Sequence, residues 1–417
     1  MVSTGAVRVG DGQRRARLGL RQLLAPAARV ARVEETADAV VGLHASDPAT
    51  VYLSACARLR EPSAGEVERA LYEDVSLVKL LSMRRTLFAV TEEFAPFVSA
   101  AAARPIAVKE RATLLKHLGE FAEGWSEERL AETERAVLAA LAARGEATTA
   151  ELGAEVPALR ETMLMAAGKP YEAKQSVGSR LLRLLASDGH VRRSRPRGSW
   201  LSSSYPWAPV EQWPELPARE AKAEVVRRWL ARYGPGTVED VKWWTGWTLG
   251  DVRRALADVG AVEVALTGGA AGGAGGGAAG GAGGGAAGGA GGGAAAGLVL
   301  PGDEAPVAEP EPWAALLPGL DPAVMGWRGR DWYLRPEDVP ALFDRAGNAG
   351  PTVWWCGRVV GGWAQRADGE VVWRLFEDVG AEAVAAVGAE AERLVGWLGE
   401  VRVTPRFRTP LERELVA

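Results

Sequence analysis

Between residues 174 and 207 the chain sets a helix, a glycine turn and an arginine-tipped hairpin in direct succession, and few folds accommodate that order. A helix is expected over 174–185, where Val177, Leu181, Leu184 and Leu185 recur at helical spacing and turn one apolar stripe toward a core. Ser187-Asp188-Gly189 ends it, because glycine accepts the backbone angles of a tight turn. Strands are expected at 190–193 and 199–203, joined by the tip Arg192-Arg193-Ser194-Arg195-Pro196-Arg197-Gly198. The layout is a helix plus wing, which supplies a base-facing element and a phosphate-facing one together.

The charge pattern fits that layout. The 417 residues carry a formal net charge of −4, so the chain is not basic all over. Yet residues 174–200 hold Lys174, Arg180, Arg183, Arg192, Arg193, Arg195 and Arg197 against a single acid, Asp188. Such polarisation favours phosphate on one face and repels it elsewhere. An arginine run on its own is a solvated patch; placed behind a helix and on a hairpin, it points to nucleic acid.

Hydrophobic content of 47% and charged content of 24% are those of a soluble globular protein, and the length predicts two or three domains. No apolar run reaches membrane-spanning length, so no membrane association is expected. The opening Met1-Val2-Ser3-Thr4-Gly5 has no signal-peptide character. Two distant cysteines (Cys56, Cys356) and three histidines (His44, His117, His190) exclude a disulfide framework and leave a zinc site without ligands. A cytoplasmic location, no metal and no cofactor are expected.

The helix-plus-wing unit recurs. Upstream of the wing, a helix at 126–144 is capped by Ser126 and stopped by Gly145, and Thr148 with Glu151 has capping-box spacing ahead of a short helix ending near Pro157. Another unit starts at Pro217: a helix through Tyr233, then Thr237/Asp240 and Thr248/Asp251 opening two more, then strands at 261–266 and 298–301. The stretch 268–297 is glycine and alanine throughout and reads as a disordered wing insertion. A less regular unit fills the N-terminus, with helices near 12–24, 34–43, 49–59 and 64–72 and strands at 76–80 and 85–91. Past residue 310, Val353-Trp354-Trp355, Gly361-Gly362-Trp363 and Val371-Val372-Trp373 read as short strands before a helix at 381–398 and a tail bearing Arg402, Arg406 and Arg408. The expected fold class is therefore α+β: three tandem winged helices (1–120, 121–215, 216–310) and a small β-rich, barrel-like C-terminal region (311–417).

Several stretches, in order along some three hundred residues, resemble a known family. They are Val41-Gly42-Leu43-His44-Ala45-Ser46-Asp47-Pro48, Ser82-Met83-Arg84-Arg85-Thr86-Leu87, Tyr233-Gly234-Pro235-Gly236-Thr237, Trp243-Trp244-Thr245-Gly246-Trp247 and Leu320-Asp321-Pro322-Ala323-Val324-Met325-Gly326-Trp327. In these the chain is similar to the bacterial winged-helix DNA glycosylases of the AlkZ/YcaQ type, which act on alkylated and crosslinked DNA. The resemblance implies a double-stranded DNA substrate, no cofactor, and an open cleft that probes a bulky lesion where it lies. The competing expectation is a DNA-binding protein without catalysis, a regulator or damage sensor.

The family's catalytic pattern is glutamine, an apolar residue, then glutamine or aspartate. Its two polar positions fall here on His44 and Ser46, with Ala45 between, so both depart from it. An N7-alkylated purine is already cationic and leaves without protonation, so the protein has only to hold a water and stabilise the cationic sugar. A neutral imidazole, with its ordinary pKa near about 6.5, orients water and accepts its proton. Ser46 offers a hydroxyl to the same water or to a phosphate. The plain alternatives are a buried structural His44 and an Asp47 that caps a helix starting at Pro48. Arg84 and Arg85 are expected on a hairpin near phosphate; Trp243, Trp244 and Trp247 are expected in a core. A monomer is expected.

Overall fold

A computed structural model describes residues 7–165, 172–268, 295–405 and 407–417. It is an α+β protein of two compact units, Met1–Val67 with Ala223–Ala417, and Glu68–Lys222. The opening pentapeptide, Arg406 and most of the glycine and alanine tract lie outside the described residues. The tract's last three residues, 295–297, are not loop but the start of a strand, Ala295–Val299.

In the first unit that strand pairs antiparallel with Val262–Thr267, which pairs parallel with an N-terminal strand, Arg8–Gly10. The helices before them follow their cap signals. Thr237 Oγ accepts from the Asp240 amide at 3.1 Å, and the Asp240 carboxylate accepts from the Thr237 amide at 2.9 Å, opening Val238–Thr245. Gly246, at φ +73°, ends that helix in the left-handed conformation that glycine adopts at no steric cost. Thr248 Oγ accepts from the Asp251 amide at 3.2 Å and opens Leu249–Asp258. The short N-terminal strand had no periodicity long enough to announce it.

Aromatic residues carry the core of this unit. Tyr233 stacks on Trp229 (5.5 Å), meets Trp327 edge-on (5.0 Å), and the series continues through Trp332 and Tyr333 to Trp354. Trp244 and Trp332 are buried as expected for core residues, while Trp243 and Trp247 are half-buried. The C-terminal strands Ala314–Leu317, Thr352–Trp355, Arg358–Gln365 and Val371–Leu375 make an open antiparallel sheet in chain order, with no barrel closure. Helix Ala381–Leu398 packs Val387 and Ala391 against Val353, Val360 and Trp363 of that sheet. A final helix, Pro410–Val416, lies where only a basic tail was expected.

A fully buried ion pair ties these pieces together. Arg58 donates to both Asp321 oxygens (2.9 and 2.8 Å), to the Ser54 carbonyl (2.7 Å) and to the Gln22 carbonyl (3.0 Å). Asp321 also accepts from Ser54 Oγ (2.6 Å) and the Ala323 amide (2.9 Å), so every charge is compensated.

The second unit contains the hairpin Leu77–Leu81/Leu87–Thr91, helices Arg104–Phe121, Glu127–Arg144 and Thr149–Glu155, and the helix Val177–Ser187. Leu118, Leu130, Val137, Leu141, Leu152, Leu181 and Leu185 meet in its core. Two boundaries differ from expectation. Residues 174–176 belong to a strand, Ala173–Ser176, paired with Thr162–Met165, and Ser176 caps the helix by accepting from the Ser179 amide at 3.1 Å. The second wing strand is Trp207–Pro209, not 199–203, because Trp207 is buried and exchanges backbone bonds with Ala147 while the serine-rich stretch has nothing apolar to bury.

Asp321→Ala leaves the Arg58 guanidinium buried without its anion and is expected to lower the unfolding free energy by about 3–5 kcal/mol. Glu370→Ala, which breaks the exposed pair with Arg366, is expected to change it by no more than about 1 kcal/mol. Urea denaturation of both variants measures the difference.

Candidate active site

The segment carrying His44 and Ser46 is built from a helix stop and a helix start. Helix Val33–Ala39 ends in a turn where Val41 (φ +53°) and Gly42 (φ +114°) are both left-handed, the Gly42 amide donating to the Ala37 carbonyl at 2.8 Å. Glycine takes that angle readily, but a β-branched valine does not, so backbone strain sits three residues ahead of His44. Packing holds it: Tyr233 Oη donates to the Val40 carbonyl at 2.8 Å, while Arg228 and Arg232 clamp Asp38 at 2.7 and 2.6 Å. Sequence reasoning missed these residues; Tyr233 alone stood in a stretch it had singled out.

Beyond the turn, Leu43-His44 is extended, and Asp47 caps helix Pro48–Cys56 by accepting from the Ala49 amide at 3.0 Å, with Pro48 at the first helical position. Asp47 is therefore the helix cap. Two residues that share a motif end in different surroundings: His44 is only 3% exposed, whereas Ser46 stands at the surface. Ser46 and Asp47 also line a cavity of about 110 Å³ within this unit. Thr50, one turn along, donates to the Gly319 carbonyl at 3.0 Å and joins the motif helix to the cavity's other wall.

The second unit holds the basic residues, and they divide into inward and outward groups. Arg193 is half-buried with its guanidinium 4.7 Å from the Tyr205 ring, and Arg192 is half-buried too. Arg195 and Arg197 are exposed but already engaged: Arg195 by Glu68 (2.8 Å) and Glu73 (2.6 Å), Arg197 by Glu151 (2.8 Å). The capping-box bond from Thr148, together with Arg197, pulls the Glu151 carboxyl down to about 2. Lys174 is exposed on its strand, and Arg180, half-buried, donates to Gln175 at 3.0 Å. Arg183 is exposed beside them.

Arg84 and Arg85 occupy the tight turn of the hairpin expected for them. Both are left-handed (φ +51° and +59°), and Arg85 pairs with Glu110. Two consecutive arginines in that region cost about 1–3 kcal/mol each, strain that the surrounding hairpin has to hold. On the neighbouring strand, Lys79 donates to Tyr72 Oη at 2.8 Å, and burial near Arg193 pushes its amine down to about 7.

No cluster of histidine, cysteine and carboxylate side chains suited to a metal ion occurs among the described residues, and none of their helices is long and apolar enough to cross a membrane. A family model described as DNA glycosylase AlkZ-like matches residues 37–397, from the helix before the motif through the C-terminal sheet and its helix. The chain belongs to the AlkZ-like DNA glycosylase family. Among solved structures, Streptomyces sahachiroi DNA glycosylase AlkZ superposes with a TM-score of 0.67 at 23% identity, over 96% of this chain and 99% of that one. At that identity the likeness speaks for the fold. No curated protein sequence matches the chain. Membership identifies the chain as a DNA glycosylase with a DNA substrate, in preference to a regulator or sensor without catalysis.

Lys79 offers a measurable consequence. Between about pH 7 and pH 10 the unfolded chain holds a proton on this amine that the folded chain does not, so unfolding free energy rises with pH across that window. Lys79→Met is expected to remove this component of the rise in urea titrations at several pH values; an unchanged profile would show that the amine is charged in the fold.

Proposed function

We propose that this family member hydrolyses the N-glycosidic bond of N7-alkylated purines in double-stranded DNA, and unhooks interstrand crosslinks by the same reaction on a tethered base. The observation that supports the reading is the loop on which Ser46 meets solvent, within the segment that the resemblance sets against the family's catalytic pattern. The leaving base is a cation before the reaction starts, so no general acid is required of the protein. The Ser46 hydroxyl accepts from or donates to the attacking water, and His44, close behind it in the chain, takes the proton as the water adds to the anomeric carbon. With little of its ring exposed, His44 serves one water rather than bulk solvent. The carboxylate of Asp47, half-buried at the cap, lends negative potential to the cationic sugar.

Phosphate binding is assigned to Arg84, Arg85, Lys174, Arg180, Arg192, Arg193, Arg195 and Arg197. Their surroundings grade that assignment. Lys174, Arg85, Arg195 and Arg197 present charge at the surface, whereas Arg192 and Arg193 act chiefly by fixing the wing. The protein works as a monomer on this reading, without metal or cofactor.

His44→Ala is expected to abolish release of 7-methylguanine from duplex DNA while duplex binding persists, and Ser46→Ala to slow it by about tenfold or more. Release unchanged in His44→Ala removes the imidazole from the mechanism; release by neither variant nor wild type removes the excision reading. Replacing Lys174, Arg195 and Arg197 by alanine is expected to flatten the salt dependence of duplex binding, by a slope of about one for each phosphate that is no longer neutralised.

A further inference from the structure

The cavity beside Ser46 is shaped for something smaller than a base. Ser46, Asp47 and Leu53 form one wall, and Leu320, Trp363 and Val416 close it from the loop after Ala314–Leu317, the sheet and the last helix. An apolar cavity of roughly 150 Å³ holds one benzene molecule. At about 110 Å³, open on one side, this one is of a size to take a single ring or a short chain.

One lining residue is out of character with a cavity that serves packing alone. Glu412 is 2% exposed, and its Oε2 accepts from the Thr409 amide (2.9 Å) and hydroxyl (3.0 Å). Its Oε1 is equally buried and has no hydrogen-bonding partner among the described residues. Burial pushes this carboxyl above the ordinary carboxylate range, toward the protonated form that donates a hydrogen bond. A buried polar atom left this way is costly to the fold unless a guest satisfies it.

We propose that this cavity receives the substituent carried by the alkylated base: an uncharged group up to one ring in size, held by the apolar walls and offered one hydrogen bond by Glu412. The inference rests on the excision reading above and deepens it. The site recognises the alkyl group rather than the purine, and adducts whose substituent approaches one ring in size become the better substrates. A methyl group leaves the cavity empty, while a benzyl group fills it and draws the sugar toward Ser46.

The test compares release of 7-benzylguanine and 7-methylguanine from otherwise identical duplexes, each counted above spontaneous depurination. Wild type is expected to favour the benzyl lesion. Val416→Trp, at the half-buried end of the last helix, fills the cavity and is expected to lower the benzyl-to-methyl ratio about tenfold. Val416→Phe, a smaller addition, is expected to lower it less and covers the case in which tryptophan disturbs the helix. In parallel, 4-fluorobenzyl alcohol at millimolar concentration is expected to show fluorine line broadening with wild type and to lose it with Val416→Trp. A ratio that stays constant across folded variants, or no broadening with wild type, removes the cavity assignment and leaves excision standing. Release of neither base removes the excision reading, and the cavity assignment with it.

Discussion

The buried pair of Arg58 and Asp321 is the constraint on which the first unit depends. Neither side chain has solvent access, and between them they bond Ser54, Gln22 and Ala323. Through these bonds the helix behind the motif, the end of the first helix and the segment opening the aromatic core are held at one point. A buried pair contributes little net stability over apolar residues of the same volume, since the desolvation of both charges offsets their attraction. What it adds is geometry, because two fixed forks tolerate no sliding of one element past another. The motif helix is then fixed at its far end by Arg58 and at its near end by Thr50 bonding Gly319.

The loop before that helix is held from the other side. Val41 is left-handed next to residues 38–40, which Tyr233, Arg228 and Arg232 fasten. A backbone over-determined in this way resists rearrangement, and on the proposed reading electrostatic assistance to a developing cation draws on that rigidity. The same logic applies to the turn at Arg84 and Arg85, where strain is kept by the hairpin's flanking strands and by Thr86 bonding Met83.

Much of this fold is legible in the chain because its helices announce themselves locally. Ser126, Thr148, Thr237, Thr248 and Asp47 all cap the helices they were expected to cap, and helix 381–398 runs between its expected ends. Strands were harder to read. Trp207–Pro209 is too short for an alternating pattern, and Arg8–Gly10 gains its partner more than two hundred and fifty residues away. Position 174 shows a cap outranking periodicity: Ser176 starts the helix and the lysine before it falls in a strand. The site was legible as a motif but not as a place. Nothing in His44-Ala45-Ser46 tells that one side chain is enclosed and the other exposed, since burial there is decided by elements far along the chain. The partners of Asp38 and Asp321 were likewise hidden, because ion pairs separated by hundreds of residues leave no spacing to read.

The wing arginines show how composition overstates affinity. A count of positive residues treats each as an available cation, yet Glu68, Glu73 and Glu151 already neutralise Arg195 and Arg197. On the proposed reading, phosphate binding at these positions exchanges one anion for another, so each releases less free energy than a bare arginine would. Arg193, stacked on Tyr205, contributes its cation to the wing's own packing. On the same reading, a weakened grip on undamaged duplex suits an enzyme that has to leave ordinary DNA quickly, with discrimination resting on groups at the lesion rather than on phosphates. On the proposed reading the distinction is drawn at Ser46 and the cavity beside it, where a normal base has neither the positive charge nor the substituent that the site is built to meet.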